Sequence, residues 1–223
     1  MSNHLIIGLG GTGGKIIRAL RKIIFQEFRE ADPEALDIGY LYIDSDRSMM
    51  KANDPSWKIL GNQVQLGKNS QVSIEGADLQ NYLDNINEYP GIKDWIGDKE
   101  QWHHILRSFA NGAVVGSQKR RLGRFLLACN IKKFINSLQL QVNQLRHSGN
   151  ADVTFHICCG LAGGTGSGSI IDILTQIRKL YPSTGTSYKV TVQTPKENIV
   201  YQNNLCNSIK HNHSGSHIAY DSQ

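Results

Sequence analysis

Residues 160–168 read Gly-Leu-Ala-Gly-Gly-Thr-Gly-Ser-Gly, with the apolar run VTFHICC before them and an amphipathic run after them. Glycine this dense between a strand and a helix restricts the fold more than any other feature of the chain. The strand must hand over to a turn that presents backbone amides, and the helix must begin at once. Such a loop, with the helix dipole behind it, forms a nest for an anion such as phosphate. Thr165 and Ser167 add hydroxyls, and no lysine follows these glycines as it would in a Walker loop.

A second cluster lies at the amino end. Gly8–Gly14 and Gly160–Gly168 together hold ten of the 22 glycines, so the excess is local. Gly8-Leu9-Gly10-Gly11-Thr12-Gly13 matches G-x-G-x-x-G between the strand HLII and a helix. Ile16, Ile17, Leu20, Ile23, Ile24 and Phe28 recur there at helical spacing, with Arg18, Arg21, Lys22 and Glu27 on the other face. Asp32-Pro33 is expected to stop that helix. LDIGYLYIDSD is a second buried strand ending in Asp44 and Asp46. On its own this half would suit a nicotinamide or flavin dinucleotide, whose ribose is held by an acidic residue about 20 residues past the glycines. Asp44 lies 31 residues past Gly13 (44 − 13), so the first half leaves the family open.

Residues 56–74 are expected to hold short strands or loop. Ala77, Leu79, Leu83 and Ile86 suggest a helix ended by Tyr89-Pro90-Gly91, and Trp95, Trp102 and Leu106 suggest another helical turn or two. A helix over about 118–146 carries Leu122, Phe125, Leu126, Cys129, Ile135, Leu138, Val142 and Leu145. The helix at Ser167–Leu180 is expected to turn Ile170, Ile171, Leu174 and Ile177 inward. YKVTV is the last strand. Strands alternating with helices predict an α/β fold, a parallel sheet flanked by helices, with ligands at the carboxyl ends of the strands.

A length of 223 residues with 39% hydrophobic and 19% charged residues suits one large α/β domain. The net charge of +5 is spread out with no long Lys/Arg run, so no nucleic acid is expected as a partner. No apolar run approaches the roughly 20 residues of a membrane span, and no signal peptide is visible. Cys129, Cys158, Cys159 and Cys206 have no CxxC spacing, and Cys158 and Cys159 point to opposite faces of a strand; both readings imply a reduced, cytoplasmic protein. His211, His213 and His217 sit in a polar tail with no second shell implied, so no metal site is assigned to them.

The loop at 160–168 resembles the signature loop of the tubulin/FtsZ superfamily, GGGTGSG, with Ala162 in place of its first glycine. GLGGTGGKI resembles that family's first nucleotide loop, and IDSDRSMM resembles the loop after its second strand. NGAVVGSQKRRLGRFLL resembles the loop near the γ-phosphate and is closer to divergent bacterial tubulin-like proteins than to tubulin itself. The resemblance covers about residues 4–192. It implies a GTP-binding domain over 1–192 and an irregular or divergent tail over 193–223. It also implies GTP and Mg²⁺ as cofactors, held by Gly10, Gly11, Thr12, Gly13, Asp44, Asp46, Gly112, Ala113, Gly116, Ser117, Gln118, Gly163, Gly164, Thr165, Gly166 and Ser167. Among Lys119, Arg120, Arg121 and Arg124, one or two would approach the phosphates or the group would form a solvated helical face, with Arg124 structural.

In that family the attacking water is positioned by acidic residues of the next subunit, beyond about residue 200 in this numbering. After Lys196-Glu197 the only acidic residue here is Asp221, and the resemblance leads to the expectation that the family's central helix and activation domain have no counterpart in these residues. The expectation is a GTP-binding protein that hydrolyses GTP poorly by itself, with self-association or a full-length tubulin-like protein as partner. Two other readings stay open: an NAD(P)-binding Rossmann oxidoreductase, and an adaptor clamped by nucleotide without catalysis.

Overall fold

The computed structural model describes residues 3–75, 79–103, 119–146, 152–182 and 189–193. Its centre is a parallel sheet built from β1 (Asn3–Leu9), β2 (Ile38–Asp44), β5 (Gln71–Ser73), β6 (Val153–Cys159) and β7 (Lys189–Gln193). A small antiparallel pair, β3 (Lys58–Ile59) and β4 (Asn62–Gln63), lies in the connection between β2 and β5. The order across the large sheet is β5-β2-β1-β6-β7, so the chain winds outward on one side of β1 and then returns to build the other side. Every pair in it is parallel; β1 lies between β2 and β6, with Ile6 opposite both Tyr40 and His156.

β1 and β6 are buried at every position, as strands covered on both faces must be. Alternation then divides their side chains between two cores. Leu5, Ile7, Leu9, Phe155, Ile157 and Cys159 face one cluster, while Ile6 and Cys158 face the other. Cys158 and Cys159 therefore point apart and are free thiols, as strand geometry requires.

The helix α1 (Gly10–Phe28) covers the second core with Ile16, Ile17, Leu20 and Ile24. Burying each such side chain contributes about 1.5–3 kcal/mol. It ends earlier than the Asp32-Pro33 signal suggests: Arg29 takes a left-handed φ of 62° and its amide caps Phe25 O. Arg21, expected on the solvent face, is buried. The segment after β2 folds Trp57 and Leu66 onto this side of α1. Arg21 is satisfied there by Asp32 through two hydrogen bonds (2.6 and 2.9 Å), by Val64 O at 2.6 Å and by the Tyr40 ring 4.8 Å below.

The other face carries α2 (Leu79–Asp84), α3 (Pro90–Ile96), α4 (Arg120–Cys129), α5 (Ile131–Arg146) and α6 (Thr165–Leu180). Tyr89-Pro90-Gly91 opens a helix rather than only ending one, with Pro90 at a position where no amide donor is needed. Trp95 lies in that helix, and residues 99–103, including Trp102, are helical; Ala77 and Leu106 lie outside the described residues. The single helix expected over 118–146 is two helices. Asn130 interrupts it: its buried side chain donates to Leu126 O (2.9 Å) and Ile74 O (3.4 Å), tying the break to the end of β5. In α6, Ile173 takes the core position and Ile171 is 65% exposed, because the helix meets the sheet along Ile170, Ile173 and Ile177.

α4 crosses α6 with the two backbones in contact. A Cβ on Gly168 would collide with Arg120 O and lie 2.9 Å from Arg124 N, and one on Gly123 would collide with Gly164 O. Arg124 fastens the crossing through two hydrogen bonds to Asp172 (2.8 and 3.0 Å), with its guanidinium 4.3 Å over the Trp95 ring. Arg124 is thus structural, as expected.

Candidate functional site

The direction of winding reverses between β1 and β6, and an open sheet leaves a crevice beyond its carboxyl edge at such a point. Both glycine clusters emerge there. The first has no loop at all: Leu9 ends β1 and Gly10 begins α1, with φ +67°, a value that side-chain-bearing residues rarely adopt. A Cβ on Gly10 would sit 3.1 Å from Gly166 N and 3.3 Å from Thr165 Cβ, and one on Gly160 would sit 2.6 Å from Thr12 Oγ1. The two clusters are therefore in direct contact.

A cleft of about 440 Å³ opens between them, lined by Leu9, Gly10, Gly11, Thr12, Lys15, Asp44, Ser45, Asp46, Gly160, Gly163, Gly164, Thr165 and Gly166. Two helices begin at its walls, α1 and α6. Neither has a side-chain cap, and neither carries an acidic residue in its first turn. The first amides of a helix lack intrahelical acceptors, so both ends present unclaimed donors and partial positive charge to the cleft.

The third wall is the end of β2. Asp44 is 4% exposed, yet both of its oxygens are engaged: Tyr42 Oη donates to Oδ2 at 2.6 Å and the Asp46 amide approaches Oδ1 at 3.3 Å. Burial pushes the Asp44 carboxyl above its ordinary pKa, and the Tyr42 hydroxyl and neighbouring amides pull it back. Burial beside Asp44 raises the Tyr42 phenol as well, so it remains a donor. Asp46 accepts from the Ser48 amide (2.8 Å) and Ser48 Oγ (2.9 Å). Ser45 Oγ lies 2.8 Å from Thr165 Oγ1, joining the end of β2 to the start of α6.

Of the residues expected at a nucleotide site, Gly10, Gly11, Thr12, Asp44, Asp46, Gly163, Gly164, Thr165 and Gly166 line this one cleft. Gly13 lies beneath it, where a Cβ would come 2.5 Å from Cys158 O. Ser167 is turned away, its Oγ donating to Gly163 O one helical turn back. Gly112, Ala113, Gly116, Ser117 and Gln118 lie outside the described residues, as do 194–223 with His211, His213 and His217. Lys119, Arg120, Arg121 and Arg124 are not among the lining residues. Arg120 instead donates to Leu161 O at 3.0 Å and so holds the second glycine loop from outside. Leu9, Lys15, Ser45 and Gly160 line the cleft as well and lie outside the residues expected to hold nucleotide, although Gly160 opens the second glycine cluster. Lys15 stands one helical turn after Gly11, a spacing that places it on the same face; Ser45 sits between two aspartates already singled out.

Among the described residues no cluster of three or more His, Cys, Asp or Glu could hold a metal ion by itself, and no helix is long and apolar enough to cross a membrane.

A CetZ from Methanosaeta thermophila strain DSM 6194 superposes with a TM-score of 0.51 at 13% identity, over 95% of this chain and 43% of its own. CetZ2 from Haloferax volcanii, as a GTPγS-bound protofilament, gives 0.47 at 18% identity, over 94% of this chain and 45% of its own. CetZ1 from the same organism, as a GDP-bound monomer, gives 0.48 at 15% identity, over 94% and 47%. The chain thus spans less than half the length of these structures, and at such identities the likeness concerns fold. No curated protein matches in sequence. The family profile described as "Tubulin like" matches residues 5–214, nearly the whole chain, and with the parallel sheet and the two glycine loops at its edge it places the protein in the tubulin-like family of the tubulin/FtsZ superfamily.

Proposed function

We propose that the cleft binds a guanine nucleotide, and that the chain is the nucleotide-binding domain of a tubulin-like cytoskeletal or assembly protein. The observation that carries this reading is the convergence of two uncapped helix N-termini on one cleft, where the glycine loops bring bare backbone up to the ligand. Phosphates would lie against the amides of Gly10, Gly11 and Gly163–Gly166, with the Thr12 and Thr165 hydroxyls beside them. The preference for guanine is supported by family membership and the likeness of the signature loop.

Mg²⁺ fits this donor set as an ion carried by the phosphates. It favours few carboxylate ligands and several waters. Asp44 is buried with Tyr42 and the Asp46 amide on its oxygens, whereas Asp46 is only half-buried and, although it accepts from Ser48, keeps lone pairs that could orient the ion's water shell. Bound there, Mg²⁺ would neutralise phosphate charge. We assign no residue of this chain to activation of water. Hydrolysis is expected to need acidic residues from another subunit, so the isolated chain should turn over GTP slowly, with self-association or a longer tubulin-like protein as its partner.

The test is titration of the purified chain with a fluorescent GTP analogue, with GTP, ATP and NAD as competitors. Displacement by GTP in preference to the others supports the proposal. Displacement by NAD alone would move the site to the dinucleotide class, and absence of binding would favour an adaptor that holds no nucleotide. Sedimentation with and without GTP checks self-association.

A further inference from the structure

Lys15 is the one lysine or arginine among the described residues that lines the cleft, which also holds Asp44 and Asp46. It is exposed, and it makes no hydrogen bond or ion pair among the described residues. Of the other cations of α1, Arg18 donates to Ser56 Oγ, Arg21 is bound to Asp32, and Lys22 is not among the residues that line the cleft. In a helix each Cα–Cβ bond tilts toward the N-terminus, and a long side chain lies over the preceding turn. For Lys15 that turn is Gly11 and Thr12. Gly11 has no side chain, and a Cβ there would meet open space. Nothing at that position therefore stands between the lysine and the free amides at the start of α1.

We propose that Lys15 is the phosphate-reading cation of this cleft, setting its preference for highly phosphorylated ligands. The inference rests on the nucleotide-binding reading above and names the residue that reads ligand charge. A lysine is a mobile point charge with three donors. It can follow a phosphate chain without fixed geometry, and it offsets the two carboxylates on the β2 side. The amides supply fixed geometry; Lys15 supplies a charge-dependent increment for each added phosphate in reach.

The test uses the full chain as wild type, Lys15→Gln and Lys15→Arg, titrated calorimetrically with guanosine, GMP, GDP, GTP and inorganic tripolyphosphate at low and moderate salt. Lys15→Gln should weaken GTP and tripolyphosphate by about 10-fold to 100-fold, the range of a charge-assisted hydrogen bond, and guanosine by less than about twofold. Lys15→Arg should recover most of the loss. The salt dependence of GTP affinity should be shallower in Lys15→Gln. Equal weakening of all five ligands, or of none, overturns the proposal for Lys15 while leaving the guanine site standing. Binding of tripolyphosphate that depends on Lys15, without preference for any guanine ligand, would sustain Lys15 and sink the guanine reading. A wild type that binds neither overturns both.

Discussion

Gly11 permits a substitution in which stability and binding should move in opposite directions. It is the second residue of α1, exposed, on the cleft wall, and a Cβ added there meets no atom within 4 Å. Gly11→Ala should therefore be accepted without rearrangement and stabilise the helix by about 0.5–1 kcal/mol, since glycine is the costlier helical residue. Gly11→Asp should also fold: a carboxylate in the first turn interacts favourably with the helix dipole, by about 0.3–1 kcal/mol. The same carboxylate would stand where the phosphates are proposed to lie. One negative charge about 5 Å from another, at an effective dielectric of about 20, costs roughly 3 kcal/mol. Even after screening, that is a loss of about 10²-fold in affinity. The assay pairs urea denaturation with GTP titration of wild type, Gly11→Ala and Gly11→Asp. A Gly11→Asp protein as stable as wild type that binds GTP equally well would refute the placement of phosphates at the α1 N-terminus.

Three further perturbations probe the supporting structure. Tyr42→Phe removes the hydroxyl that donates to Asp44; an unsatisfied buried acceptor costs about 1–3 kcal/mol, and a lowered denaturation midpoint should report it. Gly168→Ala forces a methyl group into the Arg120 backbone and should cost about 1–3 kcal/mol or more, whereas Gly67→Ala, at a loop site with open space around the Cβ, should change stability little. Stability should also fall in mild acid. Burial first, and then the adjacent His4, lower the His156 pKa to about 3, against about 6.5 in the unfolded chain. The unfolded state takes up the proton first, so stability present above pH 6.5 is lost as pH falls toward 3, by up to about 1.4 kcal/mol per pH unit. Urea midpoints between pH 7.5 and 5 should show this slope, and His156→Gln should flatten it.

Much of this architecture is legible in the residues because it is written in local terms. The strands β1, β2 and β6 announce themselves as apolar runs, and the two glycine clusters mark the turns that follow β1 and β6. Asp44 and Asp46 are legible as the acidic end of the second buried strand. What was not legible depends on partners distant in sequence. Arg21 looks like a solvent-facing residue until Trp57 and Leu66 fold over α1. Asn130 carries no sign of breaking a helix, since its reason for doing so is the carbonyl of Ile74 across the fold. Ile171 and Ile173 have equal claims to the core by composition, and the line along which α6 meets the sheet decides between them. Lys15 carries no local sign of a site residue, and its place on the cleft wall follows only once β2 and β6 flank β1.

The sheet order has a consequence for synthesis. β1 leaves the ribosome well before one of its two neighbours, β6, which ends at Cys159. The cleft needs both, and α6 behind them. At about 5–20 residues per second the central strand waits on the order of 10 s for its second partner. Over that interval Leu5, Ile7 and Leu9 have no complete core to enter, and no ligand can stabilise the nascent chain through a site that is only half made. Pairing across so long a loop is intrinsically slow to form. Nucleotide, if present, can act only late in folding, as a lock on a finished sheet rather than as a template for its assembly.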